Sequence, residues 1–410
     1  MNPSCIIIGG GAAGLAAATR LAGAGLPFVL LEKLDRVGKK ILSTGNGRCN
    51  YSNRDLTPAH YGLSSEFVSG VWKSCPPEKV WDYLSSLGLL SCEEDGRLYP
   101  RTLSAASMLD ILRFPLASEE GAICLGAQAE HIKRAGKGWT VVTAQGRAFS
   151  APAVLVCAGG CAAPKLGSDG SGFRLLKDLG HHILTPVPSL VQLKCTSAAL
   201  PSLKGIRTHA RVTLIVNSRP AAAEEGELLF TDYGVSGICV FQLSGLAARA
   251  LEKGQPVRLS VDLLPEIPAG SSSDAWLEQR LRLFSRLDVA AVFTGVLPRM
   301  LGQAVLREAG ISLRQSVKDL NRDQCRALLS ALHAFSLPVC GTKGFENAQV
   351  TSGGVLTEEV DPATMESRLN PGLYLAGEVL NVDGPCGGYN LHFAFASGLC
   401  AANAILRRND

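Results

Sequence analysis

The stretch Cys5-Ile6-Ile7-Ile8-Gly9-Gly10-Gly11-Ala12-Ala13-Gly14-Leu15-Ala16-Ala17-Ala18, with Phe28-Val29-Leu30-Leu31-Glu32 after it, decides the fold. A short apolar run enters G-x-G-x-x-G, an alanine-rich helical pattern follows, and a second apolar run ends in an acid. Together these read as a β-turn-α-β unit that binds a dinucleotide. Gly9 permits the tight turn, Gly11 lets backbone N–H groups approach a pyrophosphate, and Gly14 lets the helix pack closely on the strand. Ala12 and Ala13 fall in the first helical turn, whose positive dipole end faces the phosphates. Glu32 can accept hydrogen bonds from the ribose hydroxyls of an adenosine, and Lys33 beside it is counted in the same site. A glycine-rich connection that merely packs leaves Glu32 unexplained.

A chain of 410 residues buries about three quarters of its unfolded surface, enough for two or three domains. Hydrophobic content of 46% with 19% charged residues describes an ordinary globular protein. Forty basic residues against 36 acidic ones leave a net charge of only +4, with no long basic block. Nucleic acid is therefore not an expected partner. The 13 cysteines are scattered singly, as thiols kept reduced in a cytosol would be. Cys157 and Cys161 are the closest pair, and with no second pair or histidine cluster no metal site is expected. No signal peptide is read before the first strand. The apolar stretch from Phe393 to Leu406 is interrupted by Ser397, Gly398 and Asn403 and is too short to span a bilayer. The expected location is cytoplasmic, with no membrane partner.

Further along, Ser104 to Glu120 reads as a helix with a serine cap, and Pro115 inside it should kink or end it. Strand candidates follow at Ala122–Leu125 and Trp139–Thr143, and the buried run Ala153–Val156 ends in Cys157-Ala158-Gly159-Gly160. After Pro186 the pattern changes. Arg211–Val216 is strand-like, and Val257, Leu259, Val261 and Leu263 alternate with polar residues. Beyond the loop at Gly270-Ser271-Ser272-Ser273, Leu277, Leu281 and Phe284 share a helical face. Asn321 caps another helix, with Gln324 three residues on. Leu373–Ala376 returns as a strand, and a closing helix runs from about Asn390 to Leu406. The reading is a discontinuous nucleotide-binding domain, residues 1–188 and 351–410. Between its segments lie a β-rich insert, 189–264, a helical insert, 265–335, and a return through the β insert, 336–350.

Three segments favour FAD over a nicotinamide. The loop Gly38 to Asn50 carries Lys39, Lys40, Thr44, Gly45, Asn46, Gly47, Arg48, Cys49 and Asn50, whose backbone donors and cations suit a pyrophosphate and a polar ring edge. Small residues at Ala158, Gly159 and Gly160 let the chain return beneath a cofactor. Gly377 and Glu378 follow a strand, where the glutamate can hold ribityl hydroxyls. Next, Asp383 leads to Gly387, Gly388, Tyr389, Asn390 and Leu391. There a diglycine before a helix brings N–H groups and a dipole against one edge of a flavin. Ala129 is added to this set. No second strand-G-x-G-x-x-G-helix-acid unit appears. The glycine-rich stretch 167–172 follows Pro164-Lys165 and reads as a loop, so any NAD(P)H donor should bind transiently.

The chain resembles the bacterial YhiN/BaiN flavoproteins, FAD-dependent oxidoreductases with aminoacetone-oxidase-like and bile-acid-reductase-like members. The resemblance covers essentially the whole chain. It rests on GGGAAGLAAA at the start, GKKILSTGNGRCN at 38–50, LVCAGGCAAPKLGSDGSGF at 155–173 and PSLVQL at 188–193. It continues through GELLFTDYGVSGICVFQLS at 226–244, GTKGFENAQVTSGGV at 341–355, TMESR at 364–368 and GLYLAGEVLNVDGPCGGYNLHFAFASG at 372–398. It implies an α/β fold: a Rossmann-like FAD/NAD(P)-binding domain of two-dinucleotide-binding type, with an inserted β-barrel-like domain and a small helical bundle. It also implies non-covalent FAD lined by Gly9, Gly11, Gly14, Glu32, the 44–50 loop, Glu378 and the 387–391 turn. Asn381 and Cys386 depart from the family pattern, where aspartate and, in some members, threonine stand.

Flavin chemistry needs no protein nucleophile, and no catalytic base is assigned. A C-x4-C pair after the first unit is missing, so dithiol catalysis is disfavoured; Cys49 and Cys386 either converge over the flavin as a redox pair or, the preferred reading, are buried small residues. Tyr389 packs on the cofactor, donates a proton or steers a substrate carbonyl, with packing preferred; His392 packs, caps or faces the ring; His181-His182 reads as surface. Phe230-Thr231-Asp232-Tyr233-Gly234 forms a turn between strands or part of a lid. The expected function is an FAD-dependent oxidoreductase acting on a small organic substrate, with NAD(P)H-linked reduction of an activated C=C bond preferred. The rivals are an aminoacetone-like amine oxidase using oxygen, an RNA-modifying flavoprotein, and a flavin-stabilised binding protein without turnover.

Overall fold

The computed structural model describes residues 3–117 and 122–409. The chain divides into two units, one of Met1–Val187 and Gln349–Asp410, the other of Pro188–Ala348.

In the first unit the opening sequence forms β1 (Cys5–Ile8), α1 (Ala12–Gly23) and β2 (Phe28–Leu31). All four residues of each strand are buried, as continuous apolar runs in a covered parallel sheet must be. The sheet has five strands in the order Leu373–Leu375, Ala153–Val156, β1, β2, Ile123–Cys124. Every pairing is parallel, with Cys5 opposite both Ala153 and Phe28. Two strands far apart in sequence thus flank β1. The closing helix, Tyr389–Asn409, packs on α1 so tightly that a Cβ on Gly398 would stand 2.3 Å from the Ala13 carbonyl oxygen.

The expected helix from Ser104 is Ala105–Arg113, and Phe114–Leu116 turns as a 3-10 segment around Pro115, which has no N–H to continue the ladder. Residues 118–120 of that expectation lie outside the described residues. The surface reading of His181-His182 is corrected in half. His182 is exposed, but the His181 side chain is fully buried, its Nδ1 2.8 Å from Glu359 and its Nε2 3.0 Å from Ser367. The partners lie almost two hundred residues away, beyond the reach of local spacing.

The second unit contains a closed barrel of six strands. In order these are Leu193–Cys195, Gly234–Ser236, Arg219–Phe230, Arg207–Val216, Val257–Asp262 and Phe335–Thr342. Val257, Leu259 and Val261 point inward, and the rings of Phe230 and Phe335 meet edge-on with centroids 6.4 Å apart. Thr231-Asp232-Tyr233 is a turn between strands, closed by Thr231 N–H to the Gly234 carbonyl at 2.9 Å. Helices Ser271–Leu283, Arg299–Glu308 and Arg322–His333 follow the strand Val257–Asp262. Asn321 caps the last of them, its Oδ1 accepting Gln324 N–H at 2.9 Å while Gln324 Oε1 accepts Asn321 N–H at 3.2 Å.

Candidate functional site

The glycine turn is built by contact. Gly9 has φ 103°, and a Cβ on Gly14 would stand 2.0 Å from the Gly9 carbonyl oxygen, so strand and helix meet at backbone distance. Gly11 differs: a Cβ there would meet no protein atom within 4 Å. It opens α1 without a side-chain cap, so the first-turn N–H groups at Ala12 and Ala13 have no capping side chain.

Glu32 is buried against this turn, its Oε2 accepting Gly10 N–H and its Oε1 accepting Leu34 N–H, both at 2.8 Å. The carboxylate is held rigidly at the end of β2. The carbonyl of Glu32 accepts Ala127 N–H, which brings the start of the strand Ala129–Ala135 alongside. Lys33 turns to Asp169 at 2.6 Å, in the glycine-rich loop that precedes the helix Ser171–Asp178.

The loop after β2 distributes its charges. Lys39 pairs with exposed Asp35, and Arg48 pairs with Glu94 while lying over the Tyr99 ring. Lys40 does converge with the distant chain: its Nζ lies 2.6 Å from Glu378 Oε2. Glu378 Oε1 accepts Thr351 N–H at 2.7 Å, and Thr351 Oγ1 accepts the N–H groups of Cys161 and Ala162. Gly160 abuts the same hydroxyl, where a Cβ would stand 2.3 Å away. Gly159 turns the chain with φ 72°, following Ala158. Gly377 is fixed by its N–H to Ser397 Oγ at 3.0 Å. Thr44, Gly45, Asn46 and Gly47 form a tight 3-10 turn with left-handed residues at 45 and 46. Buried Cys49 follows, its thiol pushed up to about 11 by burial, against a smaller opposing effect of the Thr44 hydrogen bond.

Asn50 and its neighbours then meet the last turn. Asn50 Nδ2 donates to the carbonyls of Ser52 and Leu98. Asn53 Nδ2 donates to the Gly387 carbonyl at 2.9 Å. A Cβ on Gly388, whose φ is 100°, would stand 2.3 Å from the Ser52 carbonyl oxygen. Asp383 enters this turn, and Asn390 pins it, accepting Gly384 N–H and donating to the Gly384 and Pro385 carbonyls. Leu391 is half-buried against the core. Tyr61 donates its hydroxyl proton to the Tyr389 carbonyl at 3.0 Å.

His392 faces away from open space. It is fully buried beside Trp72 and Trp81, its Nδ1 2.9 Å from Ser52 Oγ, and burial pushes it down to about 3. It is a neutral packing group. Cys386 is also raised by burial, with a smaller opposing effect of Arg97, so it is no more a thiolate than Cys49.

Residues that motif reading missed adjoin these segments: Asn53 and Tyr61 bond the 387–389 turn, Thr351 bonds Glu378, His60 lies against the Tyr389 ring with Asp55 on its far nitrogen, and Arg97 stands opposite Asn53. Asn53 and Arg97 are opposite one another in the pairing of Ser52–Asn53 with Arg97–Pro100. Only that register, not any spacing, brings Arg97 in.

The family model for the HI0933-like protein Rossmann domain matches residues 3–404. The chain is 39% identical to the 3-dehydro-bile acid delta(4,6)-reductase of Clostridium scindens, over 98% of both proteins. It is 29% identical to the ribosomal RNA dihydrouridine synthase of Haemophilus influenzae, again over 98% of both. The Escherichia coli protein of that same name is 28% identical, over 99% of this chain and 98% of its own. Among solved structures, the 3-ketosteroid delta1-dehydrogenase of Sterolibacterium denitrificans shares the fold, with TM-score 0.53 and 15% identity over 99% of each chain.

Proposed function

This chain belongs to the HI0933-like Rossmann-domain family and is an FAD-dependent oxidoreductase; from that premise we propose that it reduces a C=C bond conjugated with a carbonyl in a small organic substrate, with NAD(P)H as a transient donor. The names of the two kinds of relative share one chemistry, saturation of a C=C bond. An isolated alkene does not accept hydride. Conjugation with a carbonyl makes the β-carbon electrophilic, because the displaced π electrons come to rest on oxygen.

The observation that carries the reading is the Lys40–Glu378 pair, which joins the loop after the dinucleotide unit to the turn before the closing helix. Bound FAD supplies hydride at its N5. The residues fit that cofactor by their own chemistry. The uncapped first turn of α1, with open space at Gly11, suits a pyrophosphate; Glu32 at the end of β2 suits the adenosine ribose. Glu378, steadied by Lys40 and Thr351, suits ribityl hydroxyls, and the backbone at Gly387–Gly388 suits the ring edge.

Anaerobic mixing tests this. The protein should carry flavin absorption, bleach with NADPH or NADH, and recover its colour on adding a 3-oxo-4-ene steroid. Bleaching by an amine alone, with recovery only by oxygen, would replace the reductase with an amine oxidase.

A second reading is favoured by the two relatives named for ribosomal RNA, which match the whole chain. In that case the reduced C=C belongs to a uracil base in RNA. The net charge of +4 and the lack of a basic block weigh for the small molecule. Loss of uridine from a ribosomal RNA transcript, with no steroid turnover, would decide for RNA.

A further inference from the structure

Directly opposed residues of an antiparallel pair project from the same sheet face. Asn53 and Arg97 are such a pair, and the Asn53 side chain reaches the Gly387 carbonyl, so that face looks onto the 384–389 turn. The Arg97 charge acts there on the Cys386 thiol and the Tyr389 phenol. Arg97 is half-buried, and its guanidinium makes no hydrogen bond or ion pair among the described residues. A guanidinium carries five N–H donors, and these remain available to an acceptor from outside the protein.

Tyr389 repeats the pattern. Its ring is buried, 4.7 Å from the His60 ring and 6.4 Å from Tyr61 between centroids. Its backbone is held by Tyr61, yet its hydroxyl has no hydrogen-bond partner among the described residues. His60 in turn is oriented by Asp55 at 3.0 Å. A guanidinium on the sheet face beside Asn53 and a phenol at the diglycine turn thus both lack a side-chain hydrogen-bond partner among the described residues.

We propose that Arg97 and the Tyr389 hydroxyl form the oxygen-binding site of the substrate, taking the carbonyl oxygen of a C=C–C=O group. This rests on the reductase reading above and names the part of the site that recognises its substrate. In the reduction, hydride brings two electrons to the β-carbon, the C=C pair shifts toward oxygen, and a proton from solvent completes the α-carbon. Negative charge grows on the oxygen meanwhile, and donors fixed beside it lower the barrier. The Tyr389 phenol is raised by burial first and by the Asp55 charge second, against Arg97, so at neutral pH it keeps its proton and donates it in a hydrogen bond. His60, backed by Asp55, is a positioning residue that keeps the Tyr389 ring in place.

The test uses 4-nitrophenolate as an oxyanion probe, in equilibrium dialysis against the FAD-loaded protein. Wild type should bind it, Tyr389→Phe and Arg97→Met should each weaken binding about tenfold or more, and Arg97→Lys should recover part of the loss. Flavin absorption should stay at the wild-type level in all three, which separates a lost oxygen site from a lost fold or cofactor. No binding by wild type, or wild-type binding by both Tyr389→Phe and Arg97→Met with flavin retained, overturns the proposal. If probe binding depends on both residues but no enone is reduced with NAD(P)H, the oxygen site stands and the reductase reading falls.

Discussion

Lys40 and Glu378 are separated by 338 residues of sequence and by 2.6 Å in space. Both side chains are about four-fifths buried, and Glu378 has Thr351 N–H as its second donor. The pair is one of several direct bonds between the two segments of the nucleotide-binding unit, and the charged one among those on Glu378.

Replacing Lys40 by Met leaves the Glu378 carboxylate with one donor and no counter-charge. The expected loss is about 1–3 kcal/mol of stability, typical of a charged hydrogen bond removed from one side. Glu378→Gln, whose amide oxygen can still accept Thr351 N–H, should cost less. Urea unfolding of the three proteins reads this directly, and equal midpoints would count against the pair.

Two glycines should respond in opposite ways to alanine. At Gly11 the added methyl meets no protein atom, so apoprotein Tm should be unchanged while FAD affinity falls. At Gly388 the methyl would collide with the Ser52 carbonyl at a left-handed φ, so the apoprotein itself should lose about 2 kcal/mol or more. Thermal melts with and without added FAD separate the cases. Weakened FAD binding at neither position would remove the cofactor argument.

His392 makes stability depend on pH. Its folded value is pushed down from 6.5 to about 3 by burial. The unfolded chain therefore binds the extra proton between those two values, and stability is complete above 6.5 and falls as the solution is acidified toward 3. The slope is one proton, about 1.4 kcal/mol per pH unit. His392→Asn should flatten the wild-type profile between pH 6 and pH 4, on the order of one proton in the linkage slope. An unaltered slope would mean that another group carries it.

In the barrel unit, Phe335→Ala removes a fully buried ring from its edge-on contact with Phe230. The expected cost is about 3–5 kcal/mol, measured as a lower urea midpoint, and a change under 1 kcal/mol would show that the core collapses around the gap.

What the sequence revealed follows from the range of each signal. Gly9, Gly11, Gly14 and Glu32 were legible because strand, turn, helix and acid are neighbours in the chain. Asn321 with Gln324, and Pro115 at a helix end, were legible for the same reason. The burial of His181 against Glu359 was not, since nothing near His181 announces a partner that distant. Arg97 was invisible because its role comes from lying opposite Asn53, and an antiparallel register has no trace in the spacing of either strand. Lys39, Lys40 and Arg48 looked alike as cations of one loop; only folding sends Lys40 to Glu378 and Arg48 to Glu94.

The strand Leu373–Leu375 sits at the sheet edge beside Ala153–Val156, and the closing helix lies on α1. During translation the Pro188–Ala348 unit, contiguous in the message, can fold as it emerges from the ribosome. The opening βαβ unit must wait, half-built, for more than three hundred codons. A nascent chain stalled before codon 373 has the start of a cofactor cradle without its far wall.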